Sequence, residues 1–529
     1  MYEMIIKNGF VIDGTGKDPY ISDVGINDGK IVCIGECHDN CELIINADGK
    51  IVSPGFIDAH THSEIPLLVD GSTTTALRQG CTSLCVGNCG NSNFPIVEKN
   101  REYYEDLISK EFQFSMEKQK IHFEDFSSYK NALNKSGVTV NVIPLVGYDE
   151  IRSAAIGVTD AVPDSEQLDL MKHYLSQALE QGVFGMSTGL EYAPQIFSTT
   201  EDLIELSKIL ALQKRLYISH IRNMYDDLVG GIEEALQIGR ETGVQLHLSH
   251  MQVNGYKYKG SVTDAVSVIK KAVSDGIKIT YDFHPWTGGM SPSIKPLPAW
   301  VKTGGNQEIV KKLSDPSLAA KIKKEMQENP YYARYEDMFF PSLKNPDISG
   351  KFLTEIADIL HVDPIDALFF VIIDEGGSCL MIEFTMYEED IKAALSYPES
   401  VIGSDNFAVP EGMHSNHPRH VCCFPYMIEK YVNKEKIVSL PEMISKMTGK
   451  TASIFGLKDR GLIKEGQWAD IVIFDAENIT SNMDYKKPDA KPTGISYVIV
   501  NGEIVYENGE ATEKRPGKVL EPSGQHILS

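Results

Sequence analysis

The sequence predicts an α/β protein: a (β/α)8 TIM-like barrel carrying a small β-sandwich domain assembled from both chain termini. Three observations predict it. Through the middle of the chain, apolar runs alternate with helical stretches eight times, the pattern of parallel strands joined by helical crossovers. Both ends break instead into short β-branched runs closed by glycine. At 529 residues the chain also exceeds one ordinary core, so a large domain with a smaller companion is expected.

The elements follow in order. Met4-Ile5-Ile6, residues 9–14, 30–35 and 49–52 read as short strands, and residues 469–475 and 496–505 repeat the style at the far end. Neither terminus buries a core alone, so residues 1–55 and 456–529 are assigned to one sandwich domain. The barrel takes 56–455. Its strands are predicted at 56–62, 82–88, 138–146, 183–189, 216–221, 244–250, 277–283 and 401–405, with helices such as 203–213 and 229–241 between them. The stretch between the seventh and eighth strands is far longer than a usual connection, which predicts an inserted subdomain at about 286–345 near the barrel mouth.

Composition excludes several classes. With 74 acidic against 50 basic residues the net charge is -24, so the surface repels phosphate backbones and anionic lipid. No run of about 18 apolar residues occurs, and residues 1–7 lack a basic segment leading into an apolar one. A cytoplasmic protein acting on a small molecule is expected, with no nucleic-acid or membrane partner and a homo-oligomer left open. Nine cysteines in such a chain are read as reduced thiols. Cys33, Cys37 and Cys41, like Cys81, Cys85 and Cys89, recur every four residues, but their β-branched surroundings predict strands and turns rather than helices.

The chemistry begins at Asp58-Ala59-His60-Thr61-His62, where the first strand ends. Alternate residues of a strand share a face, so His60 and His62 can present two imidazoles to one metal. Alone this is weak. His220, His250, Cys89 and Asp405 then close four further strand regions, all at the carboxyl end where barrel active sites lie. Imidazole and thiolate ligands favour Zn(II) over Mg or Ca, and zinc lowers the pKa of water from about 15.7 to about 7. Asp405 is the natural general base and acid. His247 shares parity with Ser249, so it is expected to face the helical layer without ligand duty. His414, His417 and His420 form a three-spaced decoy in a loop broken by Pro418.

Several stretches carry a family resemblance: Pro54-Gly55-Phe56-Ile57-Asp58 into His60-Thr61-His62-Ser63, Gly87-Asn88-Cys89-Gly90-Asn91-Ser92, Ser187-Thr188-Gly189-Leu190-Glu191-Tyr192, His220-Ile221-Arg222-Asn223, Gly403-Ser404-Asp405 and Glu465-Gly466-Gln467-Trp468-Ala469-Asp470. The chain resembles the N-acyl-D-amino-acid deacylases (D-aminoacylases) of the amidohydrolase superfamily over essentially its whole length. The resemblance implies one tight zinc held by Cys89, His220 and His250, with a weaker or empty second site at His60 and His62 that Cys89 could bridge. It also implies Asp405 as general acid and base.

Two departures bear on the substrate. Gln252 stands where the family usually has Lys, and His284 where it has Tyr, positions that help grip the substrate α-carboxylate. Losing that cation weakens or rearranges carboxylate recognition. Arg419 and Tyr192 remain as candidate substrate-binding residues. The expected reaction is hydrolysis of an N-acyl-D-amino acid or related N-acyl compound. The alternatives are a cyclic amide or D-residue peptide in the same site and, least favoured, a non-catalytic binding scaffold.

Overall fold

The computed structural model describes residues 1–38, 40–105, 122–302 and 305–522. The barrel strands are β1 (Phe56–Asp58), β2 (Cys81–Val86), β3 (Asn141–Pro144), β4 (Gly185–Gly189), β5 (Leu216–His220), β6 (Gln245–Leu248), β7 (Ile279–Phe283) and β8 (Ser400–Ile402). Neighbours pair in parallel from β1 to β3, and Val146–Gly147 continues β3 alongside β4, from which the ladder runs to β8. The ring closes between β8 and β1. There Ala59 N donates to Ile402 O at 3.2 Å, Asp405 N donates to His60 O at 2.9 Å, and Thr61 bridges Asn406.

Alternation explains the two layers. Ile57, Cys85, Ile143, Ile218 and Val401 form an apolar plug inside the barrel, while Phe56, Leu84, Val142, Tyr217 and Leu246 pack outward in the large core shared with the helices. The plug fills most of the interior, so the polar groups gather mainly above it, at the carboxyl ends of the strands. The expected helices form at Thr200–Leu212 and Leu228–Thr242. The first opens with a reciprocal Thr199–Asp202 capping box, and the second starts from an Asp227 cap and ends at left-handed Gly243.

One orientation departs from expectation. His247 pairs across the ladder with the inward Ile218, is fully buried, and directs Nε2 to Asp282 Oδ2 at 3.0 Å. It therefore faces the barrel interior rather than the helical layer. Strand parity fails here because β6 ends at Leu248, and His250 adopts a left-handed backbone with φ 32°.

The terminal strands form one nine-stranded sheet that wraps around its own core of Ile6, Val24, Ile26, Val52, Ile471 and Ile499. Runs 4–6 and 9–14, read as separate strands, merge into Tyr2–Val11 with a register shift between Ile6 and Gly9, where Asn8 turns left-handed. The inserted unit has its own antiparallel sheet of Gly289–Pro292, Leu380–Glu383, Met338–Phe340 and Lys351–Phe352, and its own apolar core. It continues past residue 345, the expected end, because Leu380–Glu383 pairs with both 289–292 and 338–340. Its later helices pack Leu353, Ile356, Leu368 and Ile372 into that core, and with the strand pairing this assigns them to the insert.

A buried polar network joins the terminal sheet to the barrel wall. Arg460 pairs with Asp470, which accepts from Asn141 Nδ2 at 3.0 Å, while Asn501 Nδ2 donates to Asn141 Oδ1 at 2.9 Å and to Pro516 O at 2.8 Å. Replacing Asn501 by Ala removes the side-chain donor to Pro516 O and one of two donors to Asn141 Oδ1, which keeps Lys518 N at 3.2 Å, at a position with φ 49°. Asn501→Ala is expected to cost about 1–3 kcal/mol, read from the denaturant midpoint.

Candidate metal centre and active site

Three strand ends put ligand atoms at one point. Cys89 Sγ lies 3.4 Å from His250 Nε2 and 3.7 Å from His220 Nδ1, and those two nitrogens are 3.0 Å apart. Cys89 Sγ is also 3.4 Å from His60 Nε2. Two groups able to hold a metal result, Cys89 with His220 and His250, and His60 with His62 and Cys89. Cys89 is common to both. The backbone builds this convergence at a cost: Cys89 (φ 51°), His250 (φ 32°) and Asp405 (φ 55°) are all left-handed non-glycine residues. Such conformations cost on the order of 1–3 kcal/mol each and persist where surrounding structure holds them, commonly at functional sites.

The donor set fits zinc. Tetrahedral bonds of about 2.0–2.3 Å place ligand atoms about 3.3–3.6 Å apart, and the observed spacings of 3.0, 3.4 and 3.7 Å bracket that range. Electrostatics agrees. Burial pushes the Cys89 thiol up, but His60, His250 and His220 outweigh it and hold the pKa well below the usual thiol value. Burial likewise opposes charge on His62 and His220, yet Asp405 and Cys89 raise the first to about 10, and Cys89 and Glu191 raise the second to about 9. The site is a thiolate surrounded by imidazoles whose protons a cation would displace, so metal affinity should fall as pH falls.

An outer layer orients the ligands. Asp282 Oδ1 accepts from His250 N at 2.8 Å, while Oδ2 meets His247 Nε2 at 3.0 Å and His60 Nδ1 at 3.5 Å. Glu191 Oε1 accepts from Met224 N at 2.5 Å and Oε2 faces His220 Nε2 at 3.4 Å, leaving His220 Nδ1 toward Cys89. Asp58, pushed up to about 7 by burial, accepts from Ser404 N and Oγ and so fixes the turn that carries Asp405. Outer partners of this kind are typically worth about 10–100-fold in metal affinity. Glu191→Gln is expected to weaken zinc binding by that factor with the fold intact, measured by competition against a chromophoric chelator.

Asp405 stands beside the second ligand group. Its Oδ1 is 3.3 Å from His62 Nε2 and 3.7 Å from His60 Nε2, and its Oδ2 accepts from Arg419 Nη1 at 2.5 Å. The remaining candidates lie around this mouth. Tyr192, 46% exposed, has its ring centroid 4.7 Å from that of His220. His284 is buried, and burial takes its pKa down to about 3. Because its Nδ1 accepts from Trp286 N at 3.3 Å, the ring is neutral with Nε2–H free to donate. Gln252 keeps a buried Oε1 that makes no hydrogen bond among the described residues.

The decoy histidines disperse. His414 pairs with Asp489 at the surface, His417 Nε2 donates to Gly288 O, and His420 Nδ1 accepts from Phe407 N. Pro418 ends the loop that holds the first two, and a helix begins at Arg419. Sequence reasoning missed Asp282 and Glu191 as orienting groups. An acid inside the apolar run Ile279–Phe283 was the available signal for Asp282. It also missed Lys295, whose charge reaches Glu191 from the insert and whose Nζ donates to Tyr332 OH at 2.7 Å.

Known proteins share this architecture. The amidohydrolase family model matches residues 387–506. An N-acyl-D-aspartate deacylase of Alcaligenes xylosoxydans xylosoxydans is 29% identical over 98% of this chain and 95% of its own, and a D-aminoacylase of the same organism is 28% identical over 98% and 97%. A solved D-aminoacylase with a binuclear metal centre, described as activated by one metal and attenuated by the second, superposes with a TM-score of 0.81 at 28% identity, covering 98% of this chain and all of that one. Over nearly its whole length the chain is similar to the D-aminoacylases, which are amidohydrolases. An N-acyl-D-glutamate deacylase from Bordetella bronchiseptica, solved with zinc and a phosphonate mimic of the tetrahedral intermediate, matches the chain equally, with a TM-score of 0.81 and 28% identity over 98% of the chain and 99% of its own. An L-hydantoinase from Arthrobacter aurescens, 16% identical with a TM-score of 0.53 over 98% of the chain and all of its own, shares the fold alone.

Proposed function

We propose that this amidohydrolase deacylates N-acyl-D-amino acids, with Cys89, His220 and His250 holding a tight zinc ion and His60 and His62 sharing Cys89 in a weaker second site. The observation that carries the reading is the position of Asp405, a carboxylate within 3.7 Å of both His60 and His62 and directly beside the group centred on Cys89. When bound, zinc supplies Lewis acidity that polarises an amide carbonyl and acidifies water. Asp405 Oδ1 accepts the proton of the attacking water and passes it to the departing amine nitrogen. Tyr192 walls the His220 side of the pocket, and His284 offers a neutral Nε2–H donor. With Gln252 supplying no charge, cations for the substrate carboxylate come from the free N–H groups of Arg419 and from Lys295.

Names and architecture of the relatives support the D configuration and the linear amide. The net charge of -24 and nine unpaired thiols support a cytoplasmic enzyme of small molecules without a nucleic-acid or membrane partner, and no helix among the described residues is long and apolar enough to cross a membrane. A scan of N-acetyl and N-formyl amino acids of both configurations, with hydantoin-type cyclic amides, tests the reading. Turnover confined to D-configured linear substrates is expected. Turnover of cyclic amides alone, or none with zinc loaded, rejects it.

The pH profile carries a further prediction. Burial alone pushes the Asp405 carboxyl up, but Arg419 with His62 and His60 outweighs it and holds the pKa well below the usual carboxylate range. Proton acceptance needs the carboxylate, so kcat/KM falls as pH drops through that pKa. Arg419→Met removes the largest lowering influence and should move the acid limb to higher pH, a shift read from the kcat/KM profile.

A further inference from the structure

Away from the barrel mouth, the terminal sheet brings two thiols together. Cys33 lies on the strand Lys30–Gly35, at the end of the sheet order, and Cys37 follows two residues after that strand ends at Gly35, whose φ is 134°. Their sulfurs are 2.7 Å apart, against about 2.05 Å in a disulfide. Cys37 is held from both sides of its backbone. Its N–H donates to Asp23 Oδ2 at 3.2 Å, its carbonyl accepts from Lys7 Nζ at 2.7 Å, and Lys7 and Asp23 pair with each other at 3.2 Å. Cys37 is 1% exposed, whereas Cys33 is half-buried.

We infer that Cys33 and Cys37 form a redox-active dithiol, oxidised to an intramolecular disulfide by small disulfides of the oxidised-glutathione class. The accessible Cys33 thiolate attacks one sulfur of the oxidant, forming a mixed disulfide and releasing one glutathione thiolate. Cys37 then attacks the Cys33 sulfur, closing the protein disulfide and releasing the second glutathione. Two protein thiols lose two electrons and two protons, and one glutathione disulfide becomes two thiols. Burial and the neighbouring sulfur push the Cys37 thiol up to about 12, which leaves the first attack to the more accessible Cys33, while the 2.7 Å approach of the two sulfurs favours the closing attack. So short a loop gives little chain-entropy stabilisation, so the pair is an exchange site rather than a staple.

The test treats full-length, zinc-loaded protein with oxidised glutathione, counts thiols after denaturation and maps peptides by mass spectrometry. The nine thiols should fall to seven, with the loss confined to a Cys33–Cys37 disulfide reversed by dithiothreitol and with turnover unchanged. Cys37→Ser should trap glutathione on Cys33, and Cys33→Ser should leave Cys37 unmodified. A lasting glutathione adduct on Cys33 in the unsubstituted protein, a disulfide between other cysteines, or nine thiols surviving treatment would each overturn the inference.

Discussion

Replacing Cys89 by Ala is expected to abolish zinc retention and turnover together while leaving the fold intact. Cys89 belongs to both ligand groups, so its loss leaves His220 and His250 as a pair on one side and His60 and His62 as a pair on the other. Neither pair alone makes the three-ligand set of a catalytic zinc site. The thiolate is also the one negative ligand, and without it the imidazoles face each other with His220 Nδ1 and His250 Nε2 3.0 Å apart. Metal content after dialysis, measured beside kcat/KM, checks this. A variant that kept stoichiometric zinc and wild-type activity would remove Cys89 from the site.

Asp405→Asn should separate the two functions that Cys89 joins. The amide is nearly isosteric, so contacts near His60 and His62 survive, but it accepts no proton. Loss of a positioned general base typically costs 10²–10⁴-fold, here in kcat, with zinc content unchanged. The Arg419 guanidinium, paired with Asp405 Oδ2 in the unsubstituted protein, then faces a neutral partner and becomes freer to bind a substrate carboxylate. KM should therefore not rise along with the fall in kcat. Equal loss of zinc and activity would mean that Asp405 serves as a ligand rather than as the proton carrier.

Much of this candidate site was legible because its proposed ligands and Asp405 follow apolar runs that read as buried barrel strands. His220 after Leu216-Tyr217-Ile218-Ser219, and Asp405 after Val401-Ile402-Gly403-Ser404, are cases where hydrophobic pattern fixes both the strand and the end of it that carries chemistry. What stayed hidden depends on backbone turns and on partners distant in sequence. His247 was assigned the wrong face because parity was counted back from His250, across a left-handed residue where alternation no longer holds. Asp282 gathers His60, His247 and the backbone of His250, residues of two other strands, and the acid inside its own apolar run marks the position without revealing those partners. The insert was cut short for a related reason. Helices such as Pro364–Asp374 resemble the barrel's own, and the pairing of Leu380–Glu383 with Gly289–Pro292 joins segments about ninety residues apart.

The same hidden partners explain how one centre can hold two unequal sites. His220 has Glu191 behind it, and the His250 backbone is tied to Asp282, so the first ligand group is oriented from outside. His62 instead faces Asp405, a carboxylate already engaged by Arg419, and its side chain is 24% exposed. Fewer constraints on His62 favour weaker binding there.

Zinc-edge X-ray absorption on protein loaded with one equivalent of metal tests the convergence most directly. One sulfur at about 2.3 Å with nitrogen neighbours at about 2.0–2.1 Å is predicted, with the sulfur contribution absent when one equivalent is offered to Cys89→Ala. A first shell of nitrogen and oxygen only, unchanged by that substitution, would contradict the account.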